Sequence, residues 1–287
     1  MFLAIALLVV ATAAMLAVDL LVFARDHQPS LRDSAAWSVL WLVVALAFGA
    51  GLLLWEGGHT AGEYYAGYLL ERALSLDNVF VFAVILGAFA VPAHLQPKVL
   101  SWGIGLALVL RLVFIVLGAA MLDAFHVTFY AFGALLLYTA WKLARHAESE
   151  PDPENSRTLR LLRRWVPPAT PLTVAFVVIA TTDIVFALDS IPAIFAVTQD
   201  AFVVLAANAF AMLGLRALYF LLAGMMDRFV LLSKGLALIL AFIGAKMLLI
   251  DVWHAPIWVS LAVIAAVLGA TVVLSLTAAP AARPRRA

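Results

Sequence analysis

The sequence predicts an all-α, polytopic membrane protein of about nine transmembrane helices containing two inverted three-helix repeats. Three observations lead there. Hydrophobic residues make up 66% of the 287 and charged residues only 12%, with a mean hydropathy of +1.08, far more apolar surface than a soluble domain of this length hides. The basic residues outside the apolar runs fall on alternate loops. Acidic residues recur in tandem, with one spacing, inside two apolar stretches.

Apolar runs of roughly 20 residues separate into nine spans, at about 1–24, 36–55, 63–90, 98–122, 125–143, 169–198, 201–226, 229–250 and 256–277. The first lacks a basic leading region and is followed by Arg25, so it reads as a retained helix rather than a cleaved signal. Asp19, near its end, reads as an interfacial anchor beside Arg25. Residues 1–62 form two peripheral helices, 63–143 the first three-helix repeat, and 169–252 the second. Residues 253–287 supply a last helix and a basic tail. Pro192 is expected to break the sixth span, because its ring nitrogen cannot donate to the carbonyl of Leu188. The linker at 144–168 turns from acidic (Glu148, Glu150, Asp152, Glu154) to basic (Arg157, Arg160, Arg163, Arg164), with Leu159, Leu161, Leu162 and Trp165 interleaved. That pattern suits a short helix on the inner membrane surface.

Orientation follows from the loops. Arg25, Arg32, Lys98, the cluster from Lys142 to Arg164, Arg228, Lys234 and the tail arginines all fall on one side. Glu56, Glu63, Asp123, Asp200 and Asp251 fall on the other, with no Lys or Arg among them. The positive-inside rule then sets the N-terminus outside and the C-terminus in the cytoplasm.

The repeat is carried by Glu71 and Asp77, which align with Asp183 and Asp189 at an offset of 112. Each pair ends in Leu-Asp followed by Asn78 or Ser190. Leu110-Arg111-Leu112-Val113-Phe114 answers Leu215-Arg216-Ala217-Leu218-Tyr219; Gly133 and Lys142 answer Gly244 and Lys246 more loosely. Three helices per unit force the two copies to insert with opposite orientation, a design recurrent among transporters.

A carboxylate in mid-membrane costs about 2.5–3.5 kcal/mol on insertion scales, so four need a reason. On an unbroken helix Glu71, Ser75 and Asn78 share a face and Asp77 sits about 120° away; Asp183 and Asp189 stand in the same relation. A local break is what would let each pair converge. Cysteine is absent and every histidine lies in a loop or at a span end, so the donors are carboxylates, an amide and freed carbonyls. Those suit a hard divalent cation, Mn²⁺, Ca²⁺ or Mg²⁺, better than Zn²⁺ or Cu(I). Arg72, Arg111, Arg216 and Lys246 also lie in spans. Arg111, Arg216 and Lys246 are assigned as charge-balancing partners of the acids, and Asp77 and Asp189 as shared ligands at the interface of the two units.

The segments GYLLERALSLDNVFVF, WGIGLALVLRLVFI, FALDSIPAIFAVTQDAFVVLAANAFAMLGLRALYFLL and FIGAKMLL resemble the signature segments of the TerC/Alx family of bacterial membrane proteins. The resemblance spans most of the chain. It implies export of manganese from the cytoplasm, residence in the bacterial inner membrane and inverted three-helix repeats. The family's acidic motif positions correspond to Glu71, Asp77, Asn78, Asp183 and Asp189, with Mn²⁺ as transported ligand and no prosthetic group. The chain departs from the family at Arg72-Ala73-Leu74 and at Ala206, touching no carboxylate. The expected partners are the divalent ion and the bilayer, without nucleic acid.

An enzyme is not expected. An intramembrane aspartyl protease would need a Gly-x-Gly-Asp context that is missing, and no Gly-x-x-x-x-Gly-Lys-Ser/Thr motif offers nucleotide energy. Export would therefore draw on ion gradients. Clustered carboxylates hold protons when metal is absent and release them when a divalent cation binds, so proton antiport is the expected mechanism. The alternative is a membrane scaffold whose intramembrane charges are structural.

Overall fold

A computed structural model describes residues 2–23, 30–89, 91–92, 94–145, 171–222, 231–253 and 256–277. The expected surface helix in the linker and the basic tail lie outside these residues, as does the side chain of Asp77. The described chain is helical, with no strand, and runs through ten helices: α1 (Phe2–Phe23), α2 (Leu31–Trp55), α3 (Gly58–Ala88), α4 (Gln96–Ala124), α5 (Val127–Arg145), α6 (Pro171–Phe195), α7 (Ala201–Met212), α8 (Leu215–Leu222), α9 (Leu232–Leu248) and α10 (Ile257–Thr277).

Every expected span coincides with a helix, and the seventh is two. Among the described residues, α2, α4, α5, α6 and α10 are long and apolar enough to cross a membrane, and α7 with α8 makes a sixth if the bent pair is one span. The other three expected spans fall short for identifiable reasons. The apolar run of α1 is Ile5–Asp19, α3 carries Glu63, Glu71, Arg72 and Asp77, and α9 is 17 residues long.

Local chemistry fixes several ends. Ser30 caps α2 by accepting from the Asp33 amide at 3.1 Å, and its hydroxyl donates to the Asp33 carboxylate. Asp200 caps α7 by accepting from the amides of Phe202 and Val203. The break between α7 and α8 bends the pair by 41°. It turns on Gly214, whose φ of +73° is open to glycine at little cost. A Cβ there would also meet the Trp41 indole at 2.6 Å, so α2 occupies the notch. Arg72 of α3 reaches across and donates to the carbonyls of Ala211 at 2.8 Å and Leu213 at 3.3 Å, satisfying acceptors that the break releases.

The break therefore lies in α7–α8, not at Pro192. Helix α6 continues through Pro192 to Phe195, and the Pro192 carbonyl accepts from the Ala196 amide at 3.1 Å. Pro192 still withholds a donor from the Leu188 carbonyl, but only three helical residues follow it, so its effect falls on the last turn of α6.

Packing between the halves is reciprocal. Helix α3 packs on α7, and α6 packs on α4. Helices α5 and α9 make the most extensive pairing of all. At their crossing a Cβ on Gly133 would meet the Gly244 carbonyl oxygen at 3.1 Å, and one on Gly244 would meet that of Gly133 at 3.0 Å. Only glycine allows backbones so close.

The buried apolar residues form two main cores that meet at one level. On α3 one core holds Tyr64 to Leu70 and the other Val79 to Leu86. On α4 the division falls between Ala107 and Ile115, and on α6 between Ile179 and Ala187. The residues left in those gaps include Glu71, Ser75, Asn78, Arg111 and Asp183, all buried.

Candidate cation site

Arg111 is the hub of that level. One of its terminal nitrogens, Nη1, donates to Glu71 Oε1 and to Ser190 Oγ at 3.1 Å. Nη2 lies 3.7 Å from Asp183 Oδ1. All three charged groups are buried, with side-chain exposures of 1%, 0% and 3% for Arg111, Glu71 and Asp183, too little for water to substitute for a partner. Glu71 of α3 and Asp183 of α6, aligned in sequence at an offset of 112, thus share a single guanidinium.

Two carboxylates against one guanidinium leave a surplus negative charge if both are ionised. Unused acceptors accompany it. Among the described residues, Glu71 Oε2, Asp183 Oδ2 and Ser75 Oγ are buried without a hydrogen-bond partner. Burying such groups is costly, so they mark where a proton, water or cation belongs. Asn78 lies buried on the face of α3 that presents Glu71 and Ser75. The Nδ2 of Asn208, on α7, is also buried without a partner.

Asp189 goes elsewhere. Its Oδ1 accepts from Thr139 Oγ1 of α5 at 2.8 Å, and Lys142 contributes the nearby positive charge. Because α6 does not unwind, Asp183 and Asp189 stay on faces about 120° apart, and the convergence expected from a break at Pro192 is absent. No group of three or more His, Cys, Asp or Glu side chains that could hold a metal occurs among the described residues.

Two expected partners of the acids are also placed elsewhere. Arg216 faces Asp19, whose Oδ2 lies 3.3 Å from its Nη2 and whose backbone carbonyl accepts from the same nitrogen. It also donates to Ser101 Oγ at 2.7 Å. Asp19 is consequently no interfacial anchor: it is buried, and its Oδ1 accepts from the Trp41 indole at 2.9 Å. The reason is register. Arg216 follows Arg111 by 105 residues whereas the acids repeat at 112, a difference of about two turns, and after the bend at Gly214 α8 packs on α2, α3 and α4. Lys246 donates to Ser260 Oγ at 3.0 Å, and Glu63, not a central acid, is the carboxylate acting on it.

Sequence reasoning did not single out Thr139 or Asn208; the available signal was a lone polar residue inside an apolar run.

Fold and site together define a polytopic helical membrane protein with a buried, charge-bearing layer between two apolar cores. Residues 56–283 match the model of the integral membrane protein TerC family, and the chain belongs to that family. It is 46% identical over 283 residues to an uncharacterized membrane protein, STKORF319, of Myxococcus xanthus, covering 92% of this chain and 88% of that one. It is 41% identical over 294 residues to Alx of Escherichia coli K12, described as a proposed membrane-bound redox modulator, covering 93% and 92%. It is 42% identical over 266 residues to the membrane protein Mb2742 of Mycobacterium bovis, covering 85% and 67%. No solved structure matches.

Proposed function

We propose that this protein is a secondary transporter that exports a hard divalent cation, Mn²⁺ by its family resemblance, from the cytoplasm in exchange for protons. The observation carrying the reading is the surplus carboxylate at the Arg111 hub, with unpartnered oxygens on Glu71, Asp183 and Ser75. Oxygen donors of this kind suit Mn²⁺, Mg²⁺ or Ca²⁺. In the exchange, Glu71 and Asp183 hold a proton when the cation leaves and surrender it when the cation binds; Arg111 keeps both acids from ionising at full cost. Asp77, Asn78 and Asp189 complete the ligand set in the metal-bound arrangement.

Reciprocal packing of α3 on α7 and α6 on α4, with Gly133 against Gly244, supports two inverted units, α3–α5 and α6–α9. The bent α7–α8 pair supplies the discontinuous helix of such transporters. The remaining expected spans α1, α3 and α9 bring the count to nine. The charge distribution supports an inner-membrane protein with its N-terminus outside and its C-terminus in the cytoplasm. The chain has no cysteine, so a redox effect like the one in Alx's description would not run through a thiol of its own.

The test is transport by the purified protein in liposomes, comparing Mn²⁺, Ca²⁺, Mg²⁺ and Zn²⁺ under imposed pH gradients at fixed potential. Proton antiport requires Mn²⁺ flux that follows the gradient and vanishes in Glu71→Gln. A flux indifferent to the pH gradient would refute the mechanism; no flux of any ion would favour a structural scaffold.

A further inference from the structure

A cavity of about 350 Å³ opens at the acidic end of the bundle, where the start of α3, the ends of α6 and α9 and the start of α10 meet. Its polar groups are few and pointed. Glu63 of α3 has a side chain 17% exposed, lies near the Thr198 hydroxyl and stands 3.8 Å from His59. Lys246, tied to Ser260 at 3.0 Å, supplies the one cationic ammonium among the lining residues.

The cavity lies in line with the Arg111 hub. Glu63 precedes Glu71 by eight residues on α3, a rise of about 12 Å with about 80° of rotation, which keeps both on one side of the helix. Phe195 also lines the cavity and is almost wholly buried. Its ring packs on Gly118, where a Cβ would meet it at 2.9 Å, about two turns along α4 from Arg111. A cation leaving the hub along α3 toward the acidic end would reach the cavity lined by Glu63 and Phe195.

We propose that this cavity is the exit vestibule of the transport path, in which Glu63, with Thr198 and water, is a transient ligand for a hard divalent cation, and Lys246 is a tethered cation that competes for Glu63 and drives release. The proposal rests on the transport reading above. One carboxylate and one hydroxyl make a weak, largely hydrated site, which suits release rather than storage. An ammonium lining the same cavity weakens the site further, because the metal must share the space with a like charge.

The test is Mn²⁺ binding to the purified full chain in detergent by equilibrium dialysis. Wild type should bind Mn²⁺ at two classes of site. Glu63→Gln should remove the weaker class and leave the tighter one. Lys246→Met should strengthen the weaker class by about tenfold, whereas Lys246→Arg should not. A gain of affinity does not arise from misfolding, so the lysine variant separates competition from a structural role. An unchanged curve in Glu63→Gln, or no tightening in Lys246→Met, overturns the vestibule. In the double variant Glu71→Gln/Asp183→Asn the tighter class should vanish while the Lys246→Met gain persists. A persisting gain with the tighter class intact would sink the central site alone and uphold the vestibule.

Discussion

Arg111 and Arg216 stand in matching words of the two halves, LRLVF and LRALY, and end in opposite situations. Arg111 serves two acids and a hydroxyl, and each acid keeps an oxygen with no partner. Arg216 serves one acid, whose two oxygens are taken up by the guanidinium and by the Trp41 indole, and a second hydroxyl on Ser101. Among the described residues, two carboxylates meet one guanidinium at Arg111 and one carboxylate meets the guanidinium at Arg216. A buried ion pair is thus by itself no sign of a site; under the transport reading, imbalance is what would separate a working cluster from a pair that holds helices together.

The largest expected difference is functional. Asp183→Asn removes the surplus charge while keeping shape, and should reduce pH-driven Mn²⁺ flux in liposomes to background with the protein still folded. Asp19→Asn should leave flux per folded molecule near wild type and lower thermal stability. Equal loss of flux in both would erase the distinction between the two arginine sites.

Next comes stability. Arg111→Leu strands two buried carboxylates, and breaking one side of a buried pair costs about 3–5 kcal/mol. Thermal unfolding in detergent should fall steeply, and adding Glu71→Gln and Asp183→Asn should recover much of the loss. Arg216→Leu should also destabilise, recovered by Asp19→Asn, and should leave ion selectivity unchanged.

What was legible in the sequence divides along the same line. The helices, the tandem acids and the contact of Arg111 with Glu71 and Asp183 follow from hydropathy and spacing, which act locally. The partner of Arg216 was not legible, because it depends on the bend at Gly214, and that bend depends on Trp41 of α2 and Arg72 of α3. Pro192 looked the stronger breaker, but a proline beside a helix end has little left to break. Asp19 read as an anchor because its neighbour in sequence was Arg25, whereas its partner in space lies 197 residues away.

Gly214→Ala tests that explanation. Alanine at φ +73° against the Trp41 ring should cost about 1–3 kcal/mol. Gly105→Ala, on α4 with open space around it, should stabilise by about 0.5–1 kcal/mol. Unfolding temperatures that move together would show that the bend is not held by this contact.

The smallest contrast is the most discriminating, because it changes one hydroxyl at each arginine. Ser190 accepts from Arg111 at 3.1 Å and Ser101 from Arg216 at 2.7 Å. Each alanine variant removes one hydrogen bond to a charged donor, worth about 1.5–3 kcal/mol at most. The unfolding temperatures should therefore fall by similar small amounts. Only at Arg111 does the lost hydroxyl bear on the balance between guanidinium, carboxylates and cation. Ser190→Ala should shift the apparent Mn²⁺ affinity in transport by a few fold, and Ser101→Ala should leave it alone. If Ser101→Ala alters affinity as much as Ser190→Ala while both proteins stay folded, the two arginine sites belong to one functional unit, and charge imbalance does not separate them.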